Sequence, residues 1–264
     1  MYSFRETLKK QGRVVFTLYL RDFKTNFGHF RLKYIWAIGE PVAYIMILCM
    51  LRLALGKGPM SGIDFPLFFA TGIIPFLIFS STIGQCSSII ESNLPLMTYR
   101  VVKPIDPIIA KSLVELTKYT LAGFCIFGLL FCLGFTFTLN SILHLILTML
   151  LLYFLTLGTG ICIAVICSFS RDLKKLVNIL TRPLFFISGV FFAAETIPIK
   201  FRTILLINPM MHVIELTREY VFVDFMNAHG NLSYLSLTTL IVMFIGLFVY
   251  HYKKRIIVTS GVIR

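Results

Sequence analysis

The stretch RDLKKLVNILTRPLFFISGVFFAAETIPIKFRTILLINPMMHVIELTREY, Arg171 to Tyr220, decides the fold. It opens on a basic, polar turn of Arg171, Asp172, Lys174 and Lys175 and climbs through an apolar run from Leu184 to Ala194. A polar break from Glu195 to Lys200 follows, then a second, partly apolar piece holding Asn208-Pro209 and the cluster His212, Glu215, Arg218 and Glu219. The apolar run is barely enough for a crossing, because about 20 residues rising ~1.5 Å each are needed for a hydrocarbon core of about 30 Å. The piece after it is broken by Pro198 and Pro209 and is too short for another full span. Irregular backbone at membrane depth persists only where protein or a water-filled cavity surrounds it. The pattern therefore predicts a re-entrant element over 195–220 at the mouth of a pathway.

Composition sets the same frame for the whole chain. Hydrophobic residues make up 57% of 264 and charged ones 14%, too little polar surface to cover a soluble globule. The expected fold class is all-α, a polytopic membrane protein. Its first apolar run starts near Ile35, behind Arg5, Lys9, Lys10, Arg13, Arg21, Lys24, Arg31 and Lys33, and no small-residue cleavage site follows, so no removable signal peptide is expected.

The net charge of +13 is explained by where it falls. Besides the N-terminal group, Arg100, Lys103 and Lys111 form one cluster, Arg171, Lys174 and Lys175 a second, and Lys253, Lys254, Arg255 and Arg264 a third. The alternate segments hold only Lys57, Lys200, Arg202 and Arg218. By the positive-inside rule both termini are cytoplasmic, and anionic lipid headgroups account for the charge without nucleic acid. Cys49, Cys86, Cys125, Cys132, Cys162 and Cys167 all sit in apolar segments with no Cys-x-x-Cys pair, the pattern of small buried hydrophobes rather than disulfides or metal ligands.

Taken in order, residues 1–34 mix Phe4, Leu8, Phe16 and Leu20 with basic residues and read as an amphipathic helix in the cytoplasmic interface. Six spans are expected at about 35–55, 66–90, 112–135, 141–168, 176–194 and 233–252. Between the second and third, Glu91 to Pro107 carries Leu94, Leu96, Met97, Val101 and Val102 among Asn93, Arg100, Lys103 and Asp106. Closed by Pro104 and Pro107, it reads as a short amphipathic cytoplasmic helix that either lies on the membrane surface or docks into another protein. Gly158 and Gly160 are small enough for close helix packing. No Gly-x-x-x-x-Gly-Lys-Ser/Thr loop occurs, so ATP-driven work would need an ATPase on another polypeptide.

Glu40, Arg52, Glu115, Lys118 and Arg182 lie in or beside spans, where each charge costs roughly 2.5–3.5 kcal/mol and needs a partner. Glu115 and Lys118, three apart, are expected to pair on one helix face. Arg182 either snorkels to the cytoplasmic interface or attracts an anionic substrate. His212, Glu215 and Arg218 share helical spacing and suit a hydrogen-bonded cluster that stabilises an outer gate together with Glu195. Phe68, Phe69, Phe76, Phe79, Phe185 and Phe186 are candidates to line a pathway on which apolar sugar faces stack and slide, with Phe191 and Phe192 on the apolar side of the gate.

In order, the blocks Arg21-Asp22-Phe23-Lys24-Thr25-Asn26-Phe27-Gly28, Leu32-Lys33-Tyr34-Ile35-Trp36-Ala37, Glu40-Pro41, Thr71-Gly72-Ile73-Ile74-Pro75-Phe76, Asn93 through Asp106, Arg182-Pro183-Leu184-Phe185-Phe186-Ile187-Ser188-Gly189 and Asn208-Pro209-Met210-Met211-His212 leading to Arg218 resemble the membrane-spanning permease of type-2 ATP-binding-cassette exporters, those of capsular polysaccharide above all. Lys33 departs from the small residue expected there.

The resemblance implies one transmembrane domain over 1–264 that works as a homodimer with two cytoplasmic ATPase subunits. ATP and magnesium would be held by those subunits, with no cofactor on this chain. It implies that Glu91 to Lys103 is the coupling helix, with Leu96, Met97, Arg100, Val101 and Lys103 receiving the ATPase stroke. The implied location is the bacterial inner membrane, and the implied cargo is a lipid-linked acidic polysaccharide passed to a periplasmic adaptor and an outer-membrane exporter. The alternatives are export of O-antigen, teichoic acid or a small molecule by the same architecture, or a membrane enzyme acting on lipid-linked sugars. An enzyme would need convergent acid/base or metal-binding residues, and the only clustered candidates are those between His212 and Glu219.

Overall fold

A computed structural model describes residues 4–27, 31–56, 62–97, 101–223, 225 and 229–262. Among them the regular structure is helical: α1 (Phe4–Phe27), α2 (Arg31–Ala54), α3 (Phe65–Cys86), α4 (Ile89–Ser92), α5 (Leu94–Met97), α6 (Ile105–Cys132), α7 (Ile142–Cys167), α8 (Arg171–Ile187), α9 (Ile199–Leu205), α10 (Pro209–Val221) and α11 (Leu232–Val262), with one 3-10 turn at Ala194–Thr196.

An apolar helix, α3, forms the centre. α3 enters behind Asp64 with a proline in its first turn, where the missing N–H costs nothing. It is buried along nearly its whole length, packed on α2, α6, α7, α8 and α10. Among the described residues, four helices are long and apolar enough to cross a membrane: α3, α6, α7 and the Leu232–Lys254 part of α11. The other two expected spans correspond to α2, which carries Glu40 and Arg52, and to α8, which has 17 residues, roughly 25 Å at 1.5 Å each.

α7 and α11 make the closest crossing. A side chain on Gly158 would run into the backbone of Met243 at 2.9 Å, and one on Gly246 into the carbonyl oxygen of Gly158 at 2.7 Å. Without water to drive apolar helices together, such small-residue contacts supply the van der Waals attraction that holds spans side by side.

α6 has 28 residues, about 42 Å, and outruns a ~30 Å core by about two turns. The N-terminal helix packs on that lower part rather than standing apart. Gln11 donates to the Asp106 carboxylate, the Tyr19 hydroxyl donates to Thr117 Oγ1 at 3.3 Å, and Leu18 is buried. Between these two contacts on α6, Glu115 meets three partners. Ser81 donates to it at 2.7 Å, Lys118 pairs with it as the i,i+3 spacing predicts, and Lys111 lies 3.8 Å away. Glu40 accepts from the Tyr119 hydroxyl at 2.9 Å. Each of these carboxylates, Asp106 and Glu115 buried and Glu40 half-buried, thus has the partner that its cost demands.

Two expected elements differ in shape. The segment 91–107 is broken: α4 ends at Ser92, α5 is a single turn, and α6 begins already at Ile105. Asn93 interrupts the helix, its side-chain amide turned back to donate to the Ile89 carbonyl at 2.9 Å. The fifth expected span, drawn to residue 194, is helical only to Ile187.

Candidate functional site

α8 stops at Ile187 because the chain turns sharply there. Gly189 has φ +79°, a left-handed conformation that glycine alone adopts without strain, and a Cβ on it would collide with the Met211 sulfur. Apolar sequence continues to Ala194, but the carbonyls that a longer helix would have satisfied are met by a side chain from elsewhere. Arg218 of α10 donates from Nη1 to the carbonyls of Gly189 (2.9 Å) and Phe192 (3.2 Å) and from Nη2 to that of Val190 (3.2 Å).

Arg218 is fully buried and lies over the Phe68 ring, 3.6 Å from guanidinium carbon to centroid. Room for it comes from Gly72, where a Cβ would approach Nη2 to 2.9 Å. Glu215, one turn earlier, accepts from the Ala194 backbone N–H at 3.1 Å with the same oxygen that faces Arg218 at 3.5 Å. One buried ion pair therefore grips the turn from both ends, its guanidinium on three carbonyls and its carboxylate on an N–H.

The hairpin formed by the 3-10 turn, α9 and α10 is stitched at three more points. Asn208 caps α10, its Oδ1 accepting from Met210 N–H at 3.0 Å with Pro209 in the first turn, while its amide donates to Ser188 Oγ at 3.1 Å. Arg202 donates to the carbonyls of Glu195 (3.1 Å) and Ile197 (3.0 Å) and meets His229 Nε2 at 2.8 Å. His212 uses both ring nitrogens: Nε2 lies 2.8 Å from the Leu206 carbonyl and must donate, so Nδ1 accepts from Asn231 N–H at 3.1 Å. Its ring packs on Tyr234, centroids 4.6 Å apart. Burial holds the His212 imidazole below its ordinary pKa, an effect that the bond to Leu206 partly opposes.

Beside the clamped turn lies an aromatic cluster. Phe185 meets Phe191 at 4.9 Å, Phe76 at 5.0 Å, Tyr44 at 5.8 Å and Phe186 at 5.9 Å between centroids, and Phe186 stacks on Phe191 at 5.1 Å. Phe186 is 63% exposed, and Phe185, Phe191 and Phe192 are half-buried.

The sequence-predicted residues divide accordingly. His212, Glu215 and Arg218 are brought to one hairpin, yet they face two ways: Glu215 and Arg218 toward the end of α8, His212 toward α11. Glu195 contributes its backbone, with an exposed side chain. Phe68, Phe69, Phe76 and Phe79 do not line an open surface of the chain. All four are buried in the core, because α3 is the central helix and is covered on every side. The contacts of Tyr44, Gly72 and Gly189 were not anticipated from the sequence, although Gly72 stands inside the block Thr71 to Phe76 and Gly189 ends the block that starts at Arg182.

Of the coupling candidates, Leu96 and Met97 are half-buried on α5, Val101 is 63% exposed, and Lys103 is exposed with its backbone N–H donating to Asp106 at 2.8 Å. Arg100 lies outside the described residues. This segment is fastened on two sides, by Arg21 of α1 donating to Asn93 Oδ1 at 2.8 Å and by Lys174 of α8 pairing with Glu91. Arg182 projects from α8 below the aromatic cluster and is exposed.

Long apolar helices around a buried central one, with a polar-clamped hairpin at one end, define a multi-pass helical membrane protein. The family model for the ABC-2 type transporter matches residues 13–222, and the chain belongs to that family. It is 38% identical over 256 residues, 97% of this chain and 99% of the other, to the polysialic acid transport protein KpsM of Escherichia coli. It is 26% identical over 245 residues, 93% and 92% of the two chains, to the capsule polysaccharide export inner-membrane protein CtrC of Neisseria meningitidis serogroup B. A weaker relative, 24% identical over 89% of each chain, is the O-antigen export system permease protein RfbA of Klebsiella pneumoniae.

Proposed function

We propose that this chain is the membrane-spanning subunit of an ATP-driven exporter that moves lipid-linked capsular polysaccharide across the bacterial inner membrane. One observation carries the reading: 38% identity across 97% of the chain to a polysialic acid transport protein, an extent at which whole architecture is shared. In this reading α2, α3, α6, α7, α8 and α11 are the six spans of a single domain over 1–264. Even parity of these spans and the basic clusters support a cytoplasmic position for both termini.

Two copies form the conduit with two cytoplasmic ATPase subunits that hold ATP and magnesium, and this chain carries no cofactor and no catalysis of its own. The segment around Leu96, Met97, Val101 and Lys103 receives the ATPase stroke. Phe185, Phe186 and Arg182 face the passage, and the hairpin clamped by Glu215 and Arg218, with Phe191, Phe192, Glu195 and His212, closes its outer mouth. A periplasmic adaptor and an outer-membrane exporter take the polymer onward. Similarity to an O-antigen permease supports the second reading, export of another surface polysaccharide by the same machine.

Deleting the gene in its host and restoring it on a plasmid tests the function. Polymer should accumulate inside deleted cells and return to the surface on complementation. Unchanged surface polymer after deletion, with no other glycan lost, would end the proposal.

A further inference from the structure

A polar cleft of about 270 Å³ lies where α1, the end of α3, α4 and the second turn of α6 meet. At roughly 30 Å³ each, it has room for about nine waters. Arg21, Asp22, Gln85, Ser88, Ser92 and Lys111 are among the residues that line it, and none of them belongs to the outer hairpin or to the aromatic cluster.

The charges of this cleft are only partly spent. Arg21 donates from Nε and Nη2 to one oxygen of Asp22, at 2.9 and 2.7 Å, and from Nη2 to Asn93 Oδ1 at 2.8 Å. Among the described residues this leaves Arg21 Nη1 and Asp22 Oδ2 without a hydrogen bond. Lys111, its side chain 12% exposed, lies 3.8 Å from Glu115, a carboxylate that Ser81 and Lys118 approach more closely. Gln85 and Ser88 are exposed at the end of α3. A lone anion in the cleft would face Asp22, with Glu115 behind Lys111, and a lone cation would face Arg21 and Lys111. A group carrying both charges finds a partner for each: Lys111 and the free edge of Arg21 for its anionic oxygens, Asp22 Oδ2 for its ammonium.

We propose that this cleft binds a zwitterionic phosphoester, the phosphoethanolamine group that a phospholipid headgroup or its water-soluble glycerol ester presents. Such a group has about eight non-hydrogen atoms and fits a volume of about nine waters. Its phosphate takes the donors of Lys111 and Arg21, its ammonium donates to Asp22, and Gln85 and Ser88 supply neutral polar contacts at the rim. A ligand held in this way ties α1 to α6 beside the joint at which Arg21 grips Asn93.

The test titrates the permease in complex with its ATPase, stripped of lipid in detergent. The probes are dihexanoyl phosphatidylethanolamine, the matching phosphatidylglycerol and phosphatidylcholine, glycerophosphoethanolamine and inorganic phosphate. The rise in melting temperature gives a half-saturating concentration for each. Phosphatidylethanolamine should bind about tenfold more tightly than phosphatidylglycerol, phosphatidylcholine or phosphate, the worth of one charged hydrogen bond. Asp22→Asn should erase that preference, and Lys111→Gln should raise the half-saturating concentration of phosphatidylethanolamine about tenfold. Ser88→Leu, which fills the cleft from an exposed position and breaks no ion pair, should abolish binding. Binding of the dihexanoyl lipid alone identifies a membrane lipid as the source, and equal binding of glycerophosphoethanolamine shows that the free headgroup suffices; either supports the site. Phosphatidylglycerol or phosphate binding as tightly as phosphatidylethanolamine, no saturable shift with either ethanolamine compound, or a preference that survives Asp22→Asn and Ser88→Leu overturns it. The assay contains no cargo, so its failure leaves the export reading standing.

Discussion

Arg218 is the residue on which the hairpin depends. Each bond from a charged donor to a carbonyl contributes roughly 1.5–3 kcal/mol, and removing one partner of a buried pair leaves the other charge uncompensated, at about 3–5 kcal/mol. Arg218→Ala should therefore lower unfolding free energy in detergent by about 3–5 kcal/mol and abolish export, while the ATPase still co-purifies. Full stability in that variant would remove the clamp from consideration.

His212 gives a pH signature with a definite sign. Its folded pKa is depressed, so the unfolded chain binds the proton more readily. The stability that the neutral ring supplies is complete above the unfolded value of about 6.5 and is lost as pH falls through that value toward the folded one. Protonating Nδ1 would also set a donor against the Asn231 N–H. The difference in melting temperature between wild type and His212→Gln should shrink from pH 8 to pH 5.5, and a constant difference across that range would refute the assignment. The polar cluster itself is legible in the sequence, as charged and imidazole residues at helical spacing in an apolar chain. Its partners are not, since Arg218 reads the backbone carbonyls of Gly189, Val190 and Phe192, which any residue would present.

Among the elements, the core helices are legible because long apolar runs have few alternatives once the composition excludes a soluble globule. Their ends are less so. Nothing between Leu184 and Ala194 marks the break at Ile187 except Ser188-Gly189, and a glycine inside an apolar run reads equally well as packing. The segment after α3 shows the same limit. An amphipathic pattern predicts one helix, but the Asn93 side chain competes for the backbone and splits it.

The tie between this segment and α8 yields a prediction for the machine. If the stroke reaches α8 through Glu91 and Lys174, reversing either charge alone, Glu91→Lys or Lys174→Glu, should leave ATP hydrolysis running while polymer export falls several-fold. The double exchange should restore coupling, measured as polymer exported per ATP. Failure of the exchange to rescue, or export that tolerates both single changes, would show that the pair only decorates the surface.

For the whole molecule, the exposed apolar face of α2, with Met46, Ile47, Met50 and Leu53, and that of α8, with Leu176, Ile179 and Leu180, adjoin through Tyr44 and Phe185. A two-fold pair would cover this surface and enclose Arg182 and the aromatic cluster between copies. With native Cys125 and Cys132, both exposed, replaced first, cysteines placed at Ile47 or Leu180 should be joined into dimers by a short bifunctional reagent in native membranes. Only monomers at every such position would argue against a shared conduit.

The fastening of the hairpin also governs how such a mouth opens. Unthreading it would strip three carbonyls from Arg218 and an N–H from Glu215, each costing about 1–3 kcal/mol if left dry. Swinging it whole costs none of these, because the same bonds weld the end of α8 to α10. His212 and Tyr234 then serve as the jamb, the ring of one and the hydroxyl of the other joining the hairpin to the start of α11. If the hairpin closes the mouth as proposed, it would work as a hinged door: its leaf would keep its shape throughout the cycle, and wear would fall on the few contacts along one edge.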